Sequence, residues 1–97
     1  MYGTIFSLDI KEGQETALLE TMKTATAGRT PEGMVAWFVM KPDNEDKWLG
    51  VAIFESKEAH INNANDPKQA EVFGKIMAHL NSDPTWTDGS YVIGEIA

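Results

Sequence analysis

The chain has 97 residues, 42% of them hydrophobic and 24% charged, with fifteen acidic side chains against eight basic ones and a formal net charge of -7. That length suits one domain with one core, residues 1–97, and the composition is that of a globular protein rather than a disordered tail. The acidic field excludes nucleic-acid binding, the longest apolar run (residues 34–40) falls far short of the roughly 20 residues that span a membrane, and the lack of cysteine removes disulfides and thiolate chemistry, which leaves a cytoplasmic protein stabilised by packing.

Residues 2–10 alternate Tyr2, Thr4, Phe6, Leu8 and Ile10 with Gly3, Ile5, Ser7 and Asp9, the period of a strand. Gly13 opens a helix in which Leu18, Leu19, Met22 and Ala25 recur with helical period, and Gly28 closes it. Residues 34–40 are seven consecutive apolar residues rich in β-branched and aromatic types, which predicts a second strand; after the turn-forming residues 41–46, the run 48–54 returns as its hairpin partner. Ser56 caps a short helix over residues 57–63, which the Asn-rich stretch 62–67 interrupts. A second helical part starts with Asp66 as N-cap, Pro67 at the first position and Gln69 in a capping-box arrangement, and it turns Phe73, Ile76, Met77 and Leu80 inward. Residues 86–96 complete the order as a last strand, with Tyr91, Val92, Ile93 and Ile96 as its apolar content and Gly89 and Gly94 as bends.

Strand, helix, strand, strand, broken helix, strand is the ferredoxin-like βαββαβ order of an α+β protein. Right-handed crossovers place the first and third strands in the middle of an antiparallel sheet and the second and fourth at its edges. Helices cover one face of such a sheet, and the other face is normally polar. Here the second and third strands are apolar on both sides, with Val35, Trp37 and Val39 opposing Met34, Ala36, Phe38 and Met40. A second apolar face is larger than soluble monomers usually expose, so a homodimer through that face is expected.

Phe54-Glu55-Ser56-Lys57-Glu58-Ala59, Asn63-Ala64-Asn65-Asp66-Pro67 and the closing Asp83-Pro84-Thr85-Trp86-Thr87-Asp88-Gly89, with Tyr2-Gly3-Thr4 and Lys11-Glu12-Gly13, resemble the antibiotic biosynthesis monooxygenase-like members of the dimeric α+β barrel superfamily over the whole chain. The resemblance implies a homodimer whose sheets face each other, with a pocket in each protomer between sheet and helices. In catalytic relatives that pocket holds an aromatic or polyketide-like molecule oxidised by molecular oxygen without metal, flavin or haem, so no cofactor is expected. Other relatives degrade haem, but the strand-one Asn of that branch is not reproduced, since the first strand carries Ser7 and no Asn.

Oxygenation without a cofactor requires a base and a dry pocket. His60 and His79 are the natural bases, and they share no metal-ligand spacing. Each also has an ordinary reading as a helical histidine without a catalytic role. Trp37, Phe54 and Tyr91 are candidates to line a pocket for a hydrophobic or aromatic ligand, against the alternative of core or interface packing; Trp48 belongs with them, and Trp86 anchors the returning chain. Asp43, Glu45 and Asp46 lack the spacing of a calcium loop and read as a solvated hairpin tip. Two functions stay open: a cofactor-independent monooxygenase, or a non-enzymatic ligand-binding or accessory homodimer.

Overall fold

A computed structural model describes residues 1–26 and 30–97. Its elements are β1 (Tyr2–Leu8), α1 (Glu15–Thr26), β2 (Met34–Met40), β3 (Trp48–Phe54), α2 (Lys57–Ala64), α3 (Pro67–Met77) and β4 (Trp86–Ser90). The strands form one sheet in the order β2-β3-β1-β4 with every neighbouring pair antiparallel, which is the ferredoxin-like arrangement expected from the element order. The Gly28 expected to close the first helix lies outside the described residues. Among the described residues no helix is long and apolar enough to cross a membrane.

Register decides which side chains meet the helices. Tyr2, Thr4, Phe6 and Leu8 of β1 stand opposite Phe54, Ala52, Gly50 and Trp48 of β3, and Trp37 and Val39 of β2 stand opposite Ala52 and Gly50. Leu8 and Trp48 join Leu18 and Met22 of α1 and Leu80 in the buried core, with Phe6, Trp37, Val39, Ile76 and Met77 packed against it. Each fully buried side chain of this size contributes about 1.5–3 kcal/mol, so this layer dominates stability. Gly50 is required there: a Cβ at that position would run into the Phe6 ring lying across it.

The opposite face carries Gly3, Ile5 and Ser7 of β1, Leu49, Val51 and Ile53 of β3 and Ala36, Phe38 and Met40 of β2. None of these nine residues is charged. Ile5, Phe38 and Met40 are 49%, 63% and 55% exposed.

Local chemistry sets the element ends. Ser56 Oγ accepts from Ala59 N at 3.1 Å to start α2, and Asp66 Oδ1 accepts from Lys68 N at 2.9 Å to start α3, whose first residue is Pro67. Gly13 does not open α1. It sits at φ +78 in a turn closed by Gln14 N donating to Lys11 O, a conformation that favours glycine, and α1 begins two residues later. Leu19, placed by periodicity on the buried stripe, is 36% exposed, whereas Leu18 and Met22 are buried. On β2 the pairing with β3 shifts between Met34 and Ala36, so Met34 stands opposite Phe54, out of phase with Phe38 and Met40, and Val35 at the irregularity is 44% exposed instead of facing the helices with Trp37 and Val39. The last strand is shorter than expected. Ser90 pairs with Tyr2 and Tyr91 N donates to Met1 O, and residues 91–97 lie outside any strand, leaving Val92, Ile93 and Ile96 in solvent.

Candidate functional site

The period of β1 places Tyr2, Thr4 and Phe6 side by side beneath the helices. Because Ser56 caps α2 directly after β3, His60 falls one turn into that helix, its N–H donating to Ser56 O at 3.2 Å. Its ring then packs on two neighbours from the sheet, 5.4 Å from Tyr2 and 5.3 Å from Phe54, the latter edge-on at 68°. Lys57 Nζ lies 5.9 Å from the centre of the Tyr2 ring, a cation over a π face at the rim of this group. Along β1, Phe6 touches Trp86 at 5.0 Å between ring centres and Trp86 touches Phe73 of α3 at 5.8 Å.

Thr4 lies on the strand between these two groups of rings, opposite the small Ala52. It is 4% exposed, and among the described residues its Oγ1 has no hydrogen-bond partner. A buried hydroxyl left without a partner costs about 1–3 kcal/mol, and such groups concentrate where a ligand or water completes them. Sequence reasoning passed Thr4 over. Its signal was there: it is the one polar residue among Tyr2, Phe6, Leu8 and Ile10 on the inward side of the first strand.

The two histidines have different surroundings. His79 is pinned at both ring nitrogens, with Nε2 3.1 Å from Thr21 Oγ1 and Nδ1 2.8 Å from Gln14 Oε1. Thr21 already donates its proton to Ala17 O, so it accepts from Nε2–H; the Gln14 amide, turned one way or the other, answers a neutral or a protonated ring. The His79 backbone also accepts from Lys11 N, which ties the end of α3 to the far end of β1. His60 has its ring contacts and, among the described residues, no hydrogen bond at either ring nitrogen.

Phe54, 1% exposed, therefore shares a site with His60, and Trp37 sits further across the same face, packed on the core. Tyr91 lies on the other face, its ring against Gly3, where with Ile5 and Thr87 it lines a shallow depression. His60 and His79 stand at opposite ends of β1 and cannot act on one ligand. No group of three or more potential metal ligands occurs among the described residues, and Asp43, Glu45 and Asp46 are exposed. The rings of Tyr2, Phe54 and His60 thus form one aromatic cluster beneath α2, and the buried Thr4 hydroxyl lies two residues along β1 from it.

A family model for antibiotic biosynthesis monooxygenase matches residues 1–75. The chain belongs to that family. No curated protein sequence matches it. Among solved structures, an antibiotic biosynthesis monooxygenase superposes with a TM-score of 0.77 at 15% identity, covering 96% of this chain and 100% of the other. A protein of unknown function from Nitrosomonas europaea gives 0.75 at 20% identity, covering 99% and 93%. SnoaB from Streptomyces nogalater, a cofactor-independent oxygenase, gives 0.75 at 11% identity, covering 97% of each chain. At these identities the structural likeness establishes the fold of the family, and the chemistry has to be argued from the residues of the site.

Proposed function

We propose that this member of the antibiotic biosynthesis monooxygenase family is a homodimer that oxygenates an electron-rich aromatic small molecule, without a cofactor, between its sheet and α2. One observation carries the reading: the Thr4 hydroxyl, buried and without a hydrogen-bond partner among the described residues, two residues along β1 from Tyr2, whose ring meets that of His60. The name of SnoaB lends it support from outside the chain. In this reading a planar substrate stacks on the outside of this ring cluster, Thr4 Oγ1 orients a substrate oxygen, and His60 accepts the proton of a phenolic hydroxyl. The resulting anion, kept from water, passes an electron to dioxygen. One oxygen atom then ends as a carbonyl on a substrate carbon and the other leaves as water, with the substrate giving up two hydrogens, so no external reductant enters the balance. The uncharged outward face of β1, β2 and β3 supports the homodimer.

Oxygen uptake by the purified protein with a panel of dihydroxylated aromatics tests the chemistry. Turnover should be found, and His60→Ala should abolish it. Micromolar binding of panel members with no oxygen consumed would replace this reading by the accessory, ligand-binding dimer. Sedimentation in dilute solution tests the assembly, and a stable monomer would remove it.

A further inference from the structure

β4 borders the proposed site on the side of β1 away from β3. In an antiparallel pair, residues directly opposite each other turn their side chains to the same face, with Cβ atoms about 4.5–5.5 Å apart. Trp86, Asp88 and Ser90 of β4 stand opposite Phe6, Thr4 and Tyr2 of β1, so these three share the helix side of the sheet. The rings fix that side, because Trp86 meets both Phe6 and Phe73 of α3. Asp88 is therefore the neighbour of the buried Thr4 hydroxyl on this strand, yet it does not satisfy it, since Thr4 Oγ1 has no partner among the described residues. Nor, among those residues, does a hydrogen bond or ion pair hold the Asp88 carboxylate. β4 is also a free edge, and all five of its residues are exposed, Trp86 to 48%. A molecule resting against Thr4 has an indole face and a carboxylate at the open side of the site.

Charge decides what that opening admits. With a net charge of -7, the field around the chain repels anions and gathers cations. Lys57 is held over the Tyr2 ring at the α2 end, its Nζ 5.9 Å from the ring centre, whereas Asp88 stands beside Thr4 itself. A carboxylated arene would bring like charge against Asp88, and a protonated amine would pair with it beside the Trp86 ring, whose face also attracts cations. We infer that the substrate class of this site is a phenolic amine, its ring on the aromatic cluster, its hydroxyl at Thr4 and its ammonium on Asp88 at the β4 edge. This rests on the site proposed above and deepens it by naming what the site selects. Asp88 chooses the substrate and takes no part in its oxidation.

Calorimetry under nitrogen, in low salt, separates binding from turnover. Three probes of similar shape are compared: dopamine, ethylcatechol, which lacks the amine, and homoprotocatechuate, which carries a carboxylate in its place. Dopamine should bind about fivefold or more tighter than ethylcatechol, and homoprotocatechuate should bind weakest. Asp88→Asn should remove the preference for dopamine and leave the Kd of ethylcatechol unchanged. Asp46→Asn, which removes one negative charge at the exposed tip between β2 and β3, should keep the preference. Equal affinity of the wild-type protein for dopamine and ethylcatechol, or a preference that survives Asp88→Asn, overturns the selection by Asp88 and leaves the oxygenase reading standing. Selective binding of dopamine without oxygen uptake in air overturns the oxygenase reading and leaves the selection standing. Binding of none of the three probes removes the site, and the inference falls with it.

Discussion

The hydroxyl of Thr4 is buried and has no hydrogen-bond partner among the described residues, an arrangement that costs stability and is retained at ligand sites. Valine has nearly the same shape without the hydroxyl. Thr4→Val should therefore stabilise the ligand-free protein by about 1 kcal/mol in chemical denaturation, while weakening ligand binding and oxygen uptake. A destabilised Thr4→Val protein would mean that the hydroxyl is satisfied in solution and would remove it from the site. At His79 the expectation runs the other way. His79→Ala breaks two side-chain hydrogen bonds joining α1 to the end of α3 and should cost about 1–3 kcal/mol, with oxygen uptake per folded molecule unchanged. The sequence alone could not separate the two histidines, each read as helical and each next to an aliphatic residue, although His79 falls two residues past the end of α3. What distinguishes them is the company of Gln14 and Thr21, 65 and 58 residues from His79 in sequence, and no periodicity reports a contact of that range.

Elements whose signals are local were legible, and those set by neighbouring strands were not. The bounds of β2 and β3 follow from unbroken apolar runs between turn residues, and the starts of α2 and α3 follow from Ser56, Asp66 and Pro67. The end of β4 depends instead on where β1 stops offering partners, so the apolar residues 91–96 read as strand although the sheet of one protomer has no place for them. The helices also differ in how they are anchored. α1 sinks Leu18 and Met22 into the core, while α2 has no buried residue and rests on the His60 ring contacts and on Ala59 against Gly33. In hydrogen exchange the amides of α2 should open well before those of α1, and an aromatic ligand bound against Thr4 should slow exchange in α2 and leave α1 nearly unchanged. Uniform protection across the three helices, or slowing confined to α1, would place the ligand elsewhere.

Over the whole molecule, charge and apolar surface are segregated: the -7 net charge is carried off the open sheet face, since none of the nine residues that β1, β2 and β3 turn to that side is ionisable. This is the part of the proposed dimer that the sequence could express, because a strand apolar at every position needs cover on both sides. It also fixes how salt should act on association. An interface held by ion pairs weakens as salt rises, whereas in the proposed dimer the contacts would be uncharged and the long-range force between two acidic protomers repulsive. With centres about 20–25 Å apart, that repulsion is felt at an ionic strength near 0.01 M, where the screening length is about 30 Å, and is largely removed near 0.15 M, where it is about 8 Å. The dimer dissociation constant, followed by sedimentation, should therefore fall roughly tenfold or more over that range. Association that weakens with salt would show that charged groups, and not this apolar face, hold the two copies together.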